Sequence, residues 1–411
     1  MATIPSLALI PSGYKASKVY SVLPTDGSGD FDFTRSGNAT RVNSEGLIEL
    51  VTINVPRLNY PLIDGVVSGC PSLLLEPSRS NLVQFSEQFD NAYWTKTNAT
   101  ITANNAVSPD GFTNADKLVE DSTSNTHLIR RDITTTAASY TFTVYAKAAE
   151  RSYIFLYNTT AAYGKVFNLS TGTVGTGTVG TVTASIQSAG NGWYRCSITG
   201  TATAAANAFR IYVLSTDTTS AGYTGDGTSG ILIYGAQIEL GAYGTSYINT
   251  LGAAVTRGAD DASKTGISSL IGSVGTLFVQ MKALENGNTS RRISLSDGTL
   301  DNRVTIEYDE IASRIRGFII GAGVASSNLD ADGYDQTNSH KIALVYNNAT
   351  LKIFINGVLA NSITATMVPT GMDRITTFTA SSSSNYLFAE LNQLLLFTTA
   401  LSDADCIALT A

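Results

Sequence analysis

The sequence predicts an all-β protein with two tandem antiparallel β-sandwiches behind an extended N-terminal arm. Charged residues make up only 14% of the 411 residues, against roughly 25% in an average soluble domain. Hydrophobic residues make up 43%, which excludes a disordered chain. Thr, Ser, Gly and Tyr replace the missing charge, and these residues suit strands and turns better than helices. Apolar and polar residues also alternate with a period of two, as they do in strands.

Residues 1–79 are predicted to form the arm, for docking or for oligomerisation. Their apolar residues are scattered between turns, such as the one at 25–29, and prolines at positions 56, 61, 71 and 77. Short extended pieces at 46–51 and 72–76 offer few partners to each other. Because such an arm cannot bury its own apolar side chains, we expect it to gain order from a partner chain.

Residues 80–252 are predicted to form the first sandwich. Apolar and polar residues alternate over 140–147, as in a strand with one buried face. The stretch 153–157 is apolar on both faces, as in the centre of a sheet. Valines recur within the Thr- and Gly-rich stretch 171–181, and this pattern favours short strands joined by hairpin loops. Further strands are predicted at 193–198 and 231–240.

Residues 253–265 are small, polar and charged, and they are predicted to link the first sandwich to a second one at 266–411. A meander of three strands is predicted at 341–346, 351–356 and 358–363. The Asn356-Gly357 pair is a strong hairpin signal, because both central residues of such a turn need positive φ. After a strand at 391–397, Ser402 is predicted to be the N-cap of a helix.

The composition also bears on location and partners. Pro5 and Pro11 interrupt the first apolar stretch, which no Lys or Arg precedes, so no secretory signal is expected. No run of 18 apolar residues occurs, so membrane insertion is not expected. Cys70, Cys196 and Cys406 are predicted to be free, mostly buried thiols, as in a reducing cytoplasm. A net charge of −7 without a basic run argues against nucleic acid as a partner.

Several phrases in the first half of the chain carry a family resemblance. They are CPSLLLEPSRSNLVQFSEQFDNAYWTK, ADKLVED, YTFTVYAKAAERSY, GNGWYRCSI and GDGTSGILIYGAQIELGAYGTSYI, in this order between Cys70 and Ile248. This series resembles the head-spike and tail-fibre module of bacteriophages, and DFTRSGNATRVNSEGLIE at 32–49 is similar to its lead-in. The resemblance implies a jelly roll related to carbohydrate-binding modules, carried on a virion appendage.

Two phrases in the last part of the chain carry a second resemblance. HKIALVYNNATLKIFINGVLA and LNQLLLFTTALSDAD are similar to the diagnostic strand pair and the closing strand of the concanavalin A-like, laminin-G-like sandwich. The resemblance implies this fold for 262–411. It does not imply lectin activity, because the calcium-binding residues of many lectin members have no clear counterpart here.

The sequence does not predict an enzyme. Laminarinase-type glycosidases on the concanavalin A-like fold use three acids at i, i+2 and i+4 of one strand, where they share a face. Glu307 and Asp309 have this spacing, but Ile311 stands at the third position. We therefore expect a solvated strand face at this place, and a glycosidase site remains the alternative.

Two other motifs are predicted to be structural. Gly225, Gly227 and Gly230 spell GxGxxG, but a strand pattern follows instead of the helix that a dinucleotide site needs. His127 and His340 lack neighbouring groups for metal binding or nucleophilic catalysis. We expect a turn at the glycines and hydrogen-bonded structural histidines.

Aromatic side chains are the candidates for glycan binding, because their apolar faces match the C–H surface of a sugar ring. Trp193 is predicted to lie in the core. The glycan-binding candidates are Trp94, Tyr163, Tyr223 and Tyr243, and a position in the core or at its rim is the alternative for Trp94.

Calcium is the one metal considered, and no other cofactor is expected. Calcium prefers several oxygen ligands, and the acidic loop NLDADGYD supplies the candidates Asp330, Asp332 and Asp335, with an ordinary exposed turn as the alternative. The resemblance to jelly rolls adds Asp110, Asp116 and Asp226 as candidates with the same alternative.

Together these features predict a virion fibre or spike protein, made in the host cytoplasm. It is expected to contact host-surface glycan without catalysis, through several weak sites acting together. The arm is expected to hold other virion proteins and, by analogy with phage fibres, to join a homotrimer. A virion-associated polysaccharide depolymerase and a purely structural or decorative virion protein are the alternatives.

Overall fold

The computed structural model describes residues 3–326, 328–364, 368–379 and 385–411. Within them, nearly all regular structure is antiparallel β-sheet. The sheets form two antiparallel β-sandwiches, which confirms the all-β fold class. No helix in these ranges is long and apolar enough to cross a membrane.

The N-terminal segment contains ten short strands. They are β1 (Leu7–Leu9), β2 (Tyr14–Lys15), β3 (Lys18–Val19), β4 (Phe31–Thr34), β5 (Ala39–Val42), β6 (Ile48–Val51), β7 (Leu58–Asn59), β8 (Leu62–Ile63), β9 (Val66–Val67) and β10 (Ser72–Leu75). Within the segment, β5 pairs with β6 and β8 pairs with β9 as two small hairpins.

The first sandwich comes next in the chain. Its strands are β11 (Arg79–Asn81), β12 (Thr95–Thr97), β13 (Ala99–Val107), β14 (Thr113–Glu120), β15 (Ser124–Thr134), β16 (Ser139–Ala148), β17 (Tyr153–Asn158), β18 (Tyr163–Asn168), β19 (Thr173–Val179), β20 (Thr183–Ser188), β21 (Trp193–Thr201), β22 (Ala206–Leu214), β23 (Gly222–Thr224) and β24 (Gly230–Leu240). One sheet has the order β12-β15-β22-β17-β18-β19, with β23 beside β15. The other has the order β13-β14-β24-β16-β21-β20. Both sheets contribute to one core, which includes Phe142, Ile154 and Phe209.

The predicted strands of the first sandwich are present, and β17 lies inside its sheet between β22 and β18, as expected. One prediction differs, because β16 is buried on both faces instead of one. Thr141 and Thr143 are buried, since the segment after β24 packs over them. The Thr141 hydroxyl donates a 3.0 Å hydrogen bond to the carbonyl oxygen of Gly241 in that segment.

The remaining strands are β25 (Val255–Arg257), which pairs with β11 in a separate two-stranded sheet, and the strands of the second sandwich. The latter are β26 (Asp261–Thr265), β27 (Gly275–Ala283), β28 (Arg291–Ser296), β29 (Arg303–Tyr308), β30 (Arg314–Gly321), β31 (Val324–Ala325), β32 (Leu329–Asp332), β33 (His340–Tyr346), β34 (Thr350–Ile355), β35 (Val358–Thr364), β36 (Arg374–Thr376) and β37 (Ala389–Phe397). A 3₁₀ turn spans Ser268–Leu270, and helix α1 spans Asp403–Thr410. One sheet has the order β35-β34-β33-β27-β37-β10-β7, and the other has the order β2-β3-β4-β26-β36-β28-β29-β30-β31.

Two local predictions in the second sandwich are confirmed. Asn356 and Gly357 have φ of 50° and 81°, and they join β34 to β35 in the predicted meander. The Ser402 hydroxyl accepts a hydrogen bond from the backbone N–H of Asp405 and caps α1. Asp403 and Asp405 lie in the first turn, where the helix dipole favours negative charge.

The N-terminal segment is part of the second sandwich. Strands β1 and β10 both pair with β37, and β4 pairs with β26. Leu7, Phe33 and Leu73 are fully buried in the core of that sandwich. The expectation that the arm needs a partner chain to bury its apolar side chains is therefore wrong. Its partner is the opposite end of the same chain.

The predicted linker at 253–265 is largely extended and hydrogen-bonded. Strand β25 pairs with β11, and β26 lies between β4 and β36. The stretch contains charged residues because it lies between the two sandwiches, where Arg257 and Asp260 form buried ion pairs.

The junction between the two sandwiches contains a buried group of five charged residues, which we call the junction cluster: Arg35, Arg57, Glu76, Arg257 and Asp260. Glu76 lies 2.5 Å from an Arg57 nitrogen and 2.8 Å from an Arg257 nitrogen. Asp260 bridges Arg57 and Arg35. A buried charge is tolerated only when it is paired and hydrogen-bonded, so the cluster fixes the N-terminal segment against both sandwiches.

The cysteines agree with the prediction of unpaired, mostly buried thiols. Cys196 and Cys406 are buried, Cys70 is exposed, and all three are free.

Candidate functional site

A cleft of about 860 Å³ lies where the N-terminal segment, the first sandwich and the second sandwich meet. Each part supplies one wall. Arg41 and Tyr60 come from the N-terminal segment, and Lys282 and Glu390 come from strands β27 and β37. Tyr194, Arg195 and Tyr243 come from the first sandwich. The cleft therefore exists only when all three parts are folded together.

A close backbone contact places Tyr243 in this cleft. Tyr243 lies in the segment that follows β24, and Gly244 comes next. A Cβ atom added at Gly244 would lie only 3.0 Å from the Thr143 methyl group on β16. The absence of a side chain thus lets the segment lie flat on the sheet, and the Tyr243 ring reaches the cleft.

Tyr243 is held as a neutral phenol. Its ring lies 5.6 Å from the guanidinium carbon of Arg79, within the range of a cation–π contact. Burial raises the pKa of Tyr243 above its ordinary value, and the nearby Arg79 opposes this shift. The side chain therefore offers an apolar ring and a hydroxyl group that keeps its proton at neutral pH.

Arg195 is anchored beside Tyr243. Its Nη2 donates a hydrogen bond to the carbonyl oxygen of Thr245. Its guanidinium carbon lies 5.7 Å from the centroid of the Tyr145 ring. The partner across the strands is Gln187 on β20, which also lines the cleft. An amide and a fixed guanidinium therefore face the same space.

Lys282 and Glu390 form the opposite wall as direct cross-strand neighbours on β27 and β37. Burial raises the pKa of Glu390, Lys282 lowers it, and the Glu76 carboxylate raises it again. The balance leaves the pKa of Glu390 above its ordinary value. The two side chains can both form hydrogen bonds with a polar ligand.

Of the four aromatic residues predicted from the sequence, Tyr243 is the one that lines this cleft. Trp94 is 1% exposed, packs on Phe89 with ring centroids 5.2 Å apart, and donates from Nε1 to the Phe85 carbonyl at 2.9 Å. Tyr163 is 2% exposed. Both rings fill the core of the first sandwich, so neither contacts glycan, and Trp94 has the core position that was its alternative.

Tyr223 is half-buried, and both its hydroxyl group and its ring already have contacts with other side chains of the chain. Its hydroxyl donates a 2.5 Å hydrogen bond to Glu120. The His127 ring lies 4.7 Å away, centroid to centroid, and the guanidinium carbon of Arg151 lies 5.5 Å from the ring. The structure therefore gives Tyr223 a packing role that leaves little ring surface for a sugar.

The predicted calcium ligands do not converge on one point. Asp330 accepts a 2.6 Å hydrogen bond from Arg316, and Asp332 accepts a 2.7 Å bond from Arg314. Asp335 accepts from the backbone N–H of Thr337. The other three candidates, Asp110, Asp116 and Asp226, likewise do not form a group that could hold a metal. Across the part of the chain that the structure describes, no group of three His, Cys, Asp or Glu residues is placed to hold a metal.

Glu307 and Asp309 are buried, each about 1% exposed, so the expectation of a solvated strand face is wrong. Arg292 and Arg316 are the register partners of Glu307 on β28 and β30. Arg292 donates to Glu307 at 2.7 Å, and Arg316 lies 2.5 Å from Asp309. These arginines neutralise both carboxylates, which explains why the acids can be buried.

The histidines and glycines have the predicted structural roles. His127 makes contacts of 2.7 Å and 3.2 Å with two backbone carbonyl oxygens. His340 contacts the Asp335 carbonyl at 2.8 Å. Gly227 has φ of 80° in a turn, and Gly230 begins strand β24, so no helix follows the GxGxxG pattern. Trp193 is 1% exposed, as predicted for a core residue.

Sequence reasoning missed the other residues of the cleft. Tyr60, Arg195, Lys282 and Glu390 lie far apart in the sequence, and no motif connects them. The register of β27 with β37 brings Lys282 and Glu390 together, and the hydrogen bond to the Thr245 carbonyl holds Arg195 beside Tyr243.

No protein-family model and no curated protein sequence matches the chain. Among solved structures, the chain is similar to the Ruminococcus gnavus IT-sialidase CBM40 bound to α2,3 sialyllactose, with 18% identity, 34% of this chain and 84% of that chain covered, and a TM-score of 0.30. It is similar to the Bacillus licheniformis β-glucanase, with 17% identity, 35% and 72% covered, and a TM-score of 0.28. It is also similar to the leech intramolecular trans-sialidase, with 17% identity, 34% and 23% covered, and a TM-score of 0.29. Each of these matches covers about a third of this chain.

Proposed function

We propose that the chain binds glycan in the cleft around Tyr243. The observation that carries this proposal is the combination of the Tyr243 ring with amide, guanidinium and amine groups in one cavity of about 860 Å³. A sugar has apolar C–H surfaces and many hydroxyl groups, so it fits a site with an aromatic ring and convergent polar groups.

The junction cluster supports this proposal because it holds the walls of the cleft in place before a ligand binds. Glu76 lines the cleft and is bonded to Arg57 and Arg257. A preformed site loses less conformational entropy on binding than a flexible one. Weak contacts to sugar hydroxyls therefore suffice for useful affinity when several copies act together.

We propose that this binding occurs without bond cleavage. Glycoside hydrolysis requires two carboxylates, one as an acid and one as a base or nucleophile. Both oxygens of Glu76 accept hydrogen bonds, from Ser246 and from arginines. This leaves Glu76 poorly suited to activate water beside Glu390. Incubation with polysaccharide and assay of new reducing ends tests this point, and a rise in reducing ends would support the depolymerase instead.

The proposed biological setting is a virion appendage that contacts the host surface. The resemblance of Cys70–Ile248 to phage head-spike and tail-fibre modules is its support. Assembly into a homotrimer stays a prediction from that resemblance, because the N-terminal segment buries its apolar side chains within its own chain. Immunolabelling of purified particles and light scattering of the full chain test these two points.

The experiment for glycan binding is an array screen of the full chain in multivalent display, with a matched pair of variants. Tyr243→Ala removes the ring from the cleft, and Tyr20→Ala removes a partly exposed tyrosine elsewhere. We expect the array to retain at least one glycan. The binding of this glycan weakens about tenfold in Tyr243→Ala and is unchanged in Tyr20→Ala. Retention of no glycan would favour the decorative role.

A further inference from the structure

The cleft continues into a second depression of about 190 Å³. Gln187, Arg195 and Tyr243 line both cavities, as do Gly244 and Leu284. Tyr243 and Arg195 therefore lie at the passage between two parts of one groove.

The floor of the second depression is a regular array of hydroxyl and amide side chains. Thr183 faces Thr199, Ser185 faces Ser197, and Gln187 faces Arg195 across β20 and β21. Because alternate residues of a strand share a face, these side chains all point away from the core. With a rise of about 3.3 Å per residue, the row from Thr183 to Gln187 extends about 13 Å.

The groove has few charges that are available to an ionic ligand. Arg195 is the one charged residue that lines the second depression, and it donates to the Thr245 carbonyl. In the larger cleft, Arg41 is bonded to Glu49 at 2.8 Å, and Lys282 lies opposite Glu390. Asp64 and Glu76 also line it, and their negative charge opposes an anionic ligand. A carboxylate or sulfate group would have to compete with these partners.

We infer that the ligand is an uncharged, linear glycan that lies lengthwise through both depressions and crosses the Tyr243 ring. This inference rests on the proposed glycan binding and specifies its ligand class. Several successive sugar units occupy the groove, and their hydroxyl groups meet the side chains of β20 and β21. Binding strength therefore grows with chain length and depends little on ionic strength.

The test measures binding of the full chain to two sets of oligosaccharides at low and high salt. The neutral set comprises malto-, cello-, laminari- and xylo-oligosaccharides from disaccharide to octasaccharide, and the acidic set comprises oligogalacturonates and sialylated glycans. We expect at least one neutral series in which affinity rises about tenfold or more from disaccharide to octasaccharide and changes less than about twofold with salt.

Two results would overturn the inference while leaving glycan binding intact. One is retention of acidic chains alone, with affinity that falls steeply as salt rises. The other is disaccharide affinity equal to that of the longest chain. Retention of neither set would contradict the proposed function itself.

A matched pair of variants locates the groove. Ser185→Trp places a bulky side chain on the floor of the second depression, and Thr100→Trp makes the same change at an exposed position on β13, at the opposite edge of the same sheet. We expect Ser185→Trp to reduce octasaccharide affinity to the disaccharide level and Thr100→Trp to leave it unchanged. Full octasaccharide affinity in a folded Ser185→Trp variant would contradict the lengthwise position.

Discussion

Arg57 donates a 2.5 Å hydrogen bond to Glu76, and both side chains are buried where the two sandwiches meet. Arg57 follows β5 and β6, which form part of the cleft wall, and Glu76 directly follows β10 of the second sandwich. The Ser246 hydroxyl, from the loop that carries Tyr243, donates to the same carboxylate at 2.6 Å. One ion pair thus connects all three walls of the proposed binding site.

Glu76→Gln is expected to lower the free energy of unfolding by about 3 kcal/mol, because removing one member of a buried pair leaves Arg57 and Arg257 without full compensation. Denaturant titration measures this change. The matched control is Glu49→Gln, which removes a partly exposed partner of Arg41 and should cost less than about 1 kcal/mol. Equal effects of the two variants would contradict the structural role of the cluster.

The same carboxylate contributes to acid sensitivity. Burial alone would raise the pKa of Glu76, but Arg257, Arg57 and Ser246 together hold it well below its ordinary value. Its contribution to stability is therefore present above the unfolded-state pKa of about 4.5 and is lost as the pH falls below it. We expect Glu76→Gln to show a flatter loss of stability below about pH 4.5 than the unchanged protein, in pH-dependent thermal melts.

Asp116 gives the opposite pH dependence. Burial raises its pKa to about 6, although the backbone amides of Asn104 and Phe89 oppose the shift. Since the folded state holds the proton more tightly than the unfolded chain, the contribution is full below about pH 4 and is lost as pH rises to about 6. Asp116→Asn should remove this decline between pH 4 and pH 6, and an unchanged profile would refute the assignment.

Gly200→Ala tests the packing of the first sandwich. A Cβ atom at Gly200 would lie 2.6 Å from the buried ring of Tyr163, so the methyl group overpacks the core and should cost about 1–3 kcal/mol. Gly222→Ala is the control, since its nearest neighbour would lie 3.9 Å away. Thermal denaturation compares the two, and a stability of Gly200→Ala equal to that of Gly222→Ala would be inconsistent with this packing.

Leu73→Ala tests the position of the N-terminal segment. Leu73 on β10 is fully buried in the second sandwich, so truncation should destabilise the protein by about 2–5 kcal/mol. Leu50→Ala changes a leucine that is 57% exposed and should have an effect below about 0.5 kcal/mol. If Leu73→Ala were as stable as Leu50→Ala, the segment would not belong to that core.

Local signals explain which parts of the fold the sequence predicts. The Asn356-Gly357 turn and the Ser402 cap each depend on neighbours within a few residues, so both can be predicted from a short stretch of sequence. The strand that pairs with the N-terminal segment cannot be predicted in this way. Ser6 bonds to Leu396, which lies 390 residues along the chain, and scattered apolar residues carry no signal for such a distant strand.

The same distinction applies to the candidate site. Tyr243 is one of the four aromatic candidates from the sequence, and it lines the cleft. Trp94 and Tyr163 are candidates of the same kind but face the core, because the local sequence does not reveal which side of a loop packs inward. Arg195 and Glu390 were missed because strand register, not spacing in the sequence, brings them near Tyr243.

The most direct measurement is the affinity of the full chain and of Tyr243→Ala for the best glycan from the array, with thermal stability recorded for both. Proposed glycan binding in the cleft predicts that Tyr243→Ala, folded at the temperature of the assay, binds about tenfold more weakly than the unchanged protein. Undiminished affinity in the stable variant would contradict binding at this site.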